Sequence, residues 1–259
     1  MNARTPSGLL TGALRAVRTY PRRSPLTFGY VVLLLIGHVW VENLLTADRA
    51  DAFRDQISTN LDNLHDHPVT ALFGSALLFD GTLTEILTTG FGGTLITLGL
   101  GVCCCLAWTE RRFGSRRAAA VFLGGHVLAT LLTALVILLA LRHGWYPQSV
   151  RQASDYGISY GAQSVLALAT LALPRWARLP WAAFVVGWPL SGGGEWPGPL
   201  PDFTTVGHLL AAALGFALAA AVAVTLARRR RAERQAESPR AQGRSGPVSG
   251  AGGGRPRGR

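Results

Sequence analysis

Charge is scarce in this sequence. Asp, Glu, Lys and Arg make up 15% of its 259 residues, whereas hydrophobic residues make up 49%; soluble domains usually carry about 25% charged residues. Lysine is absent, so the net charge of +11 comes from 25 arginines. These arginines cluster between apolar runs instead of spreading over the chain. The pattern therefore argues against a nucleic-acid-binding surface and favours a membrane protein.

Cysteine is nearly absent as well. The three cysteines, Cys103, Cys104 and Cys105, are consecutive within an apolar run. Adjacent side chains on a helix point in different directions, so these residues cannot form a tetrahedral metal site or an ordinary disulfide within the chain. We interpret them as small apolar packing residues. We expect no metal ion and no cofactor.

The sequence contains six apolar segments, and five of them meet or approach the length of about 20 residues that a helix needs to cross the bilayer core. They predict an all-α, polytopic membrane protein with six transmembrane helices. The segments lie at about 26–45, 86–108, 117–141, 156–173, 180–192 and 205–227. The fifth segment is short and contains Pro189, so it needs independent support.

The distribution of arginine gives that support. With six spans, 21 of the 25 arginines fall on one side of the membrane, and the positive-inside rule assigns that side to the cytoplasm. Both termini then lie in the cytoplasm, and we expect the protein in the plasma membrane. The chain divides into a basic N-terminal segment, 1–25, a membrane domain, 26–228, and a basic tail, 229–259. The Gly, Pro, Ser and Arg content of the tail predicts that it is disordered. The arginines at 228–231 are expected to contact anionic lipid.

The stretch GISYG, positions 157–161, places Ser159 in the serine-hydrolase pattern G-x-S-x-G. The pattern is weak in a glycine-rich chain, and a polar residue packed between glycines is the alternative interpretation. The predicted topology adds information on depth. Ser159 and His208 each lie about one helical turn inside the outer end of their helices, the fourth and sixth spans, at a depth of about 5–6 Å.

Small residues flank both side chains. Gly157 and Gly161 form a stripe beside Ser159 on the fourth span, and a second stripe accompanies His208 on the sixth span. The second stripe consists of Gly207, Ala211, Gly215 and Ala219. Small residues four positions apart let membrane helices approach closely. If the two stripes meet, the Ser159 hydroxyl can reach the imidazole within the roughly 2.6–3.2 Å that a nucleophile and its base require.

Other polar residues fit supporting roles. His126 lies near the middle of the membrane, and we interpret it as a hydrogen-bonded packing histidine. Asp202 lies on the loop 189–204, where it is not expected to orient the histidine. This loop is rich in proline and glycine, and we expect it to cover the site from outside, with Trp196 as its apolar anchor.

These motifs resemble those of rhomboid intramembrane proteases, of a divergent bacterial type. GISYG and VGHLLAAALG (206–215) are similar to the serine and histidine motifs of that family. WTERRFGSRR (108–117) resembles the turn that follows its second core helix, and HPVTALFGSALLFDG (67–81) resembles its first outer loop. The resemblance covers roughly residues 25–228 and implies a six-helix, rhomboid-like bundle.

The resemblance also implies an activity. Ser159 and His208 would form a catalytic dyad near the outer face, and the substrates would be single-span membrane proteins. Gly157, Tyr160 and Gly161 would support the oxyanion of the reaction. The implied partners are the lipid bilayer and these membrane proteins, and nucleic acid is not expected.

Two departures from the family pattern leave an alternative open. Rhomboid proteases usually carry His and Asn four residues apart on the second core helix, but the stretch GTLTEILTTGFGGTLITL has neither residue. The positions that could replace them are Glu85, Thr89, Thr94 and Thr97. Tyr160 also replaces the usual glycine after the serine. Loss of an oxyanion donor costs about 10²–10³ in rate, so the alternative is a pseudoprotease that binds transmembrane helices without cleaving them.

Overall fold

A computed structural model describes residues 15, 17–192 and 198–242, and within these ranges the chain forms helices and no strand. Residues 17–23 are helical and three short 3₁₀ helices occur in the connections. The remaining helices are α1 (Pro25–Leu44), α2 (Ala47–Ile57), α3 (Leu61–Asp66), α4 (Pro68–Gly74), α5 (Thr89–Phe113), α6 (Ser115–Arg142), α7 (Ser159–Leu168), α8 (Arg175–Gly192) and α9 (Phe203–Gln242). The all-α fold class is confirmed. The bundle comprises residues up to Ala219, and the end of α9, from Ala220, forms a separate unit.

Among the residues that the structure describes, four helices are long and apolar enough to cross a membrane. They are α1, α5, α6 and the Phe203–Gln235 part of α9, and they coincide with the first, second, third and sixth predicted spans. The fourth and fifth predicted spans are also helical, but α8 contains Pro180 and Pro189. Helix α7 has only 10 residues, and a 3₁₀ turn of 4 residues follows it.

The short α7 is surrounded by protein. Residues 160–168 are all buried, so this helix does not have to match the thickness of the lipid around it. Glycines allow its neighbours to approach. A Cβ at Gly101 of α5 would come within 2.7 Å of the Ala162 Cβ, and a Cβ at Gly125 of α6 would come within 2.3 Å of the Ser164 hydroxyl.

The last helix continues beyond the predicted start of the tail. Helix α9 ends at Gln242, so 229–242 is helical where the composition predicts disorder. The Ala, Arg, Glu and Gln residues of this stretch have high helix propensity, which the tail's overall composition obscures. The arginines at 228–231 are exposed on this helix. Residues 243–259 of the predicted tail lie outside the described residues.

A buried glutamate joins the start of α1 to the turn between α5 and α6. The Glu110 carboxylate accepts hydrogen bonds from the backbone N–H groups of Leu26 and Thr27 at 2.9 Å. It also accepts from the hydroxyls of Thr27 and Ser115 at 2.7 Å. Ser24, at the cap position of α1, makes no side-chain cap bond. Glu110 therefore satisfies the free N–H groups at this helix start.

We expect Glu110→Ala to lower the thermal unfolding temperature of the detergent-solubilised protein. The substitution leaves buried donors without an acceptor, at a cost of about 1–3 kcal/mol for each. Glu110→Gln keeps one acceptor oxygen and should have a smaller effect. The control is Glu233→Ala, because Glu233 is exposed on α9. Equal unfolding temperatures for Glu110→Ala and the control would contradict this role.

Candidate active site

Ser159 is the first residue of α7 and is half-buried, and no hydrogen bond to its hydroxyl occurs among the described residues. No side chain caps this helix start. The first intrahelical bond runs from the Ala162 N–H to the Ile158 carbonyl. The N–H groups of Ser159, Tyr160 and Gly161 therefore precede the helical hydrogen-bonding pattern. Such N–H groups can bind an oxyanion.

Gly157 sets the start of this helix. Its φ of +123° lies outside the helical region, so α7 begins at Ser159 and not near Tyr156. Ser159 therefore lies at the end of the helix, whereas the sequence predicted a position one turn inside. The Gly157 N–H donates to the Ser75 carbonyl at 3.0 Å. Because this N–H is already paired, Gly157 is removed from the predicted oxyanion donors, while Tyr160 and Gly161 remain.

His208 lies in the second turn of α9, about one turn from the start of the helix, as the sequence predicted. Its Nδ1 is 2.7 Å from the Thr204 carbonyl oxygen. Since a carbonyl can only accept, Nδ1 carries the proton and Nε2 is unprotonated. Nε2 is buried and has no hydrogen-bond partner among the described residues. This is the tautomer that a general base requires.

Asp202 caps α9 and does not contact the histidine. Its carboxylate accepts hydrogen bonds from the backbone N–H groups and the hydroxyls of Thr204 and Thr205. Through hydrogen bonds, Asp202 is connected to His208 by way of Thr204, whose carbonyl oxygen accepts from the imidazole. This agrees with the sequence interpretation that Asp202 does not orient the histidine directly.

The small-residue stripe of α9 contacts α7, as the sequence predicted. A Cβ at Gly207 would come within 2.3 Å of the Tyr160 hydroxyl, and a Cβ at Gly215 would come within 2.3 Å of the Ser164 carbonyl oxygen. The Ser164 hydroxyl donates to the Ala211 carbonyl at 3.1 Å. The face of α7 that meets α9 is therefore the one that carries Tyr160 and Ser164.

The predicted stripe of α7 lies on a different face. Gly161 accommodates the ring of Phe122 in α6, since a Cβ there would come within 2.7 Å of it. Gly157 lies against the backbone of Asp80, where a Cβ would be 3.4 Å from the Asp80 nitrogen. The expectation that these two glycines meet α9 is wrong, because the bulky Tyr160 occupies the contact with Gly207.

Ser159 shares a helix face with Gln163, four residues later. Gln163 donates to the Val185 carbonyl at 2.6 Å and accepts from the indole N–H of Trp188 at 2.9 Å. The Trp188 ring lies 5.2 Å from the His208 ring. The face of α7 that carries Ser159 therefore meets α8, and α8 contacts His208. No sequence motif indicates Gln163 or Trp188, and the sequence analysis missed both.

Tyr160 connects the first turn of α7 to the histidine. Its ring lies 5.1 Å from the His208 ring in an edge-to-face arrangement, and its hydroxyl donates to the Asp155 carboxylate at 3.0 Å. His208 thus packs against two aromatic residues: Tyr160, which follows Ser159 in α7, and Trp188, which is bonded to Gln163 on the Ser159 face of α7. In the described residues no hydrogen bond joins Ser159 to His208. Catalytic hydrogen bonds are often long or poorly aligned before substrate binds.

His126 has the packing role that the sequence predicted. It is 2% exposed, and its Nε2 lies 3.1 Å from both the Leu72 carbonyl oxygen and the Ser75 hydroxyl. These bonds tie α6 to the segment between α1 and α5 that contains α4. His126 is therefore satisfied by structural contacts at Nε2.

The residues that could replace the missing His and Asn of α5 do not supply a free donor. The hydroxyls of Thr94 and Thr97 donate to carbonyls of their own helix at 3.1 and 2.8 Å. Glu85 and Thr89 are exposed before or at the start of α5. Backbone N–H groups of α7 are thus the best-placed oxyanion donors in the described structure.

The predicted loop 189–204 is shorter than its sequence indicates. Helix α8 continues through Pro189 to Gly192, and α9 begins at Phe203. Residues 193–197, which include the predicted anchor Trp196, lie outside the described residues. The covering role of this loop stays a prediction.

The cysteines are free, and Cys105 is buried whereas Cys104 is exposed. Within the described ranges, no group of three or more His, Cys, Asp or Glu side chains is arranged to hold a metal ion.

Asp155 lies in the loop before α7, and its ionisation should affect stability. Burial raises the pKa of Asp155 from 3.8 to about 6, although hydrogen bonds from Tyr160 and Thr59 oppose the rise. Because the pKa is higher in the folded protein than in the unfolded chain, the folded state binds the proton more tightly. Protonation therefore adds stability as the pH falls from about 6 towards 4.

We expect the unfolding temperature of the wild type to rise between pH 7 and pH 5 relative to that of Asp155→Asn, which cannot titrate. Thermal unfolding in detergent at several pH values measures this difference. A difference that does not change with pH would contradict the raised pKa.

The sequence was compared with known protein families, curated proteins and solved structures. The model of a family described as rhomboid-like protein matches residues 19–229, a range that includes α1, α7 and His208 of α9. No curated protein and no solved structure gives a match.

Proposed function

Since the chain belongs to the rhomboid-like protein family, and is a multi-pass membrane protein, we propose that it is an intramembrane serine protease with Ser159 and His208 as its dyad. One observation supports the proposal: Nε2 of His208 is buried without a hydrogen-bond partner among the described residues, and the His208 ring packs against Tyr160, the residue that follows Ser159 in α7. The substrates are single-span membrane proteins, cleaved near the outer face.

The geometry supports a two-step acyl transfer. The Ser159 hydroxyl attacks the scissile carbonyl carbon and gives its proton to Nε2 of His208. The Thr204 carbonyl keeps accepting from Nδ1–H and so stabilises the imidazolium. The oxyanion binds the N–H groups of Tyr160 and Gly161 at the start of α7. His208 then protonates the leaving amine, and a water molecule releases the acyl group by the same steps.

Reconstituted vesicles test this proposal. The wild type should cleave single-span proteins of a test panel near the outer end of their transmembrane segments, and Ser159→Ala should cleave none. Because the His and Asn of the family pattern are missing, the assay must detect slow turnover. Cleavage that persists in Ser159→Ala would exclude the dyad.

A pseudoprotease is the second candidate, and one contact favours it. The rings of Tyr160 and His208 meet edge to face, and Tyr160 stands at a position where the family pattern has a glycine. In that case the protein would bind transmembrane helices without cleaving them. Photo-crosslinking to single-span proteins, together with no cleavage by the wild type, would support this candidate over the protease.

We further propose that both termini lie in the cytoplasm of a cell whose plasma membrane holds the bundle. The arginine distribution supports this orientation, and the exposed arginines at 228–231 are suited to anionic lipid. A reporter that is active only in the cytoplasm should be active when fused after Arg259. A reporter active only outside the cell at this position would refute the orientation.

A further inference from the structure

The loop that leads into α7 carries a carboxylate that the Ser–His mechanism does not use. Asp155 lies four residues before Ser159 and is half-buried. Its Oδ2 accepts a hydrogen bond from the Tyr160 hydroxyl at 3.0 Å and one from the Thr59 hydroxyl at 3.2 Å. This carboxylate thus connects the turn between α2 and α3 to the residue that follows the nucleophile.

The backbone of Asp155 is fixed by the same turn. Its carbonyl oxygen accepts from the Thr59 N–H at 2.6 Å and from the Thr59 hydroxyl at 2.9 Å. Its own N–H donates to the Ser58 hydroxyl at 2.8 Å. Because both its N–H and its carbonyl oxygen are bonded to Ser58 and Thr59, the backbone of Asp155 is fixed, and this fixes the direction of the carboxylate.

Tyr160 transmits this constraint to the histidine. Its side chain is 2% exposed, and its ring meets the His208 ring at an interplanar angle of 79°. The ring cannot move towards α9, because Gly207 lies against it with no room for even a Cβ. The phenol is therefore held between the Asp155 carboxylate at its hydroxyl end and the imidazole beside its ring.

The imidazole in turn has few orientations available. Thr204 accepts from Nδ1 on one side, and the rings of Tyr160 and Trp188 pack against it at 5.1 and 5.2 Å. Rotation of the ring about its side-chain bonds would break the Thr204 bond or collide with one of these aromatic residues. The direction of Nε2 thus depends on where the Tyr160 ring is held.

We propose that Asp155 and Tyr160 are positioning residues of the dyad: the Asp155 carboxylate holds the phenol, and the phenol holds the His208 ring so that Nε2 is directed to Ser159. The proposal rests on the proposed protease function. Neither residue touches the reacting atoms through its side chain. This positioning role of Tyr160 explains how a tyrosine can replace the usual glycine after the serine without loss of the catalytic dyad.

Three substitutions separate the steps of this arrangement. Tyr160→Phe keeps the ring and removes the hydroxyl. Asp155→Leu removes the acceptor at similar volume, and Asp155→Asn keeps an acceptor oxygen. Tyr30→Phe is the matched control, since the Tyr30 hydroxyl also donates a hydrogen bond, in this case to the Ala76 carbonyl, away from the dyad.

Two measurements on the full-length protein in detergent micelles test the proposal. The first is the rate of fluorophosphonate labelling at Ser159. The second is the ¹⁵N resonance of the His208 ring in protein labelled at its six histidines, assigned by its loss in His208→Gln. Tyr160→Phe and Asp155→Leu should slow labelling, by up to about 100-fold for a displaced catalytic group, and should shift or broaden the resonance. Asp155→Asn and Tyr30→Phe should remain close to the wild type in both measurements.

The outcomes separate this proposal from the proposed function. Unchanged labelling and an unchanged His208 resonance in Tyr160→Phe would overturn the positioning role. If the wild type is not labelled at all, the protease proposal fails, and the resonance alone decides the positioning role: a shift in Tyr160→Phe supports it, and no shift overturns it. Should Asp155→Leu fail to fold, Tyr160→Phe still decides, because it removes only the hydroxyl that is bonded to Asp155.

Discussion

Ser159→Ala and His208→Ala are each expected to reduce fluorophosphonate labelling to background, and the double variant is expected to be no worse than either. In a serine hydrolase, removal of the nucleophile or of its base alone costs on the order of 10⁶-fold in kcat, about as much as removing both. This non-additivity follows because the two groups carry out one proton transfer. Labelling rates of the three variants under identical conditions measure it.

The control for this experiment is His126→Ala. His126 is bonded to Leu72 and Ser75, so its loss should lower stability more than it lowers the labelling rate per folded molecule. Ser159→Ala should leave the fold intact, because alanine is favourable at a helix position. Unchanged labelling of a folded Ser159→Ala preparation would make the serine structural and favour the pseudoprotease.

Gly215→Ala should have the largest effect on stability among single substitutions in the α7–α9 contact. The new Cβ would come within 2.3 Å of the Ser164 carbonyl oxygen and within 2.7 Å of the Ala167 Cβ. Backbone atoms of a buried helix cannot turn away as a flexible side chain does, so the helices must separate. Overpacking of this kind typically costs about 1–3 kcal/mol. Thermal unfolding in detergent measures the loss.

Gly124→Ala is the matched control, on α6. Nothing lies within 4 Å of a Cβ at that position, and alanine is the better helix former by up to about 1 kcal/mol. We therefore expect Gly124→Ala to be neutral or stabilising. If the two substitutions changed the unfolding temperature equally, the close approach of α7 and α9 at Gly215 would be wrong.

The helical architecture could be predicted because it depends on two properties of the linear sequence: the length of the apolar segments and the positions of the arginines between them. Helices α1, α5, α6 and α9 follow from these two patterns. The depth of His208 and the packing role of His126 follow in the same way, since both depend only on distance along a helix. These properties need no knowledge of which helices are neighbours.

The direction of side chains on α7 could not be predicted in this way. A shift of one residue along an α-helix turns a side chain by about 100°. The start of α7 is set by the positive φ of Gly157, which the apolar pattern does not indicate. The sequence therefore predicted the helix correctly but not the face that meets α9. The predicted face carries Gly157 and Gly161, which pack against Asp80 and Phe122 instead.

The residues that surround His208 also could not be predicted from the sequence. The hydrogen bond between Thr59 and Asp155 joins residues 96 positions apart, and the contact of Trp188 with His208 joins two different helices. Such contacts depend on the three-dimensional arrangement of short loops and helix ends. Neither hydrophobic periodicity nor a local motif contains that information.

The most direct test of the account is to map the fluorophosphonate adduct on the wild-type protein by mass spectrometry after labelling in micelles. The account predicts a phosphonate on Ser159 that is absent after heat denaturation before labelling, and no adduct on Ser191, an exposed serine at the end of α8. A folded wild type that carries no adduct on Ser159, or carries it equally on Ser191, would contradict the assignment of Ser159 and His208 as a catalytic dyad.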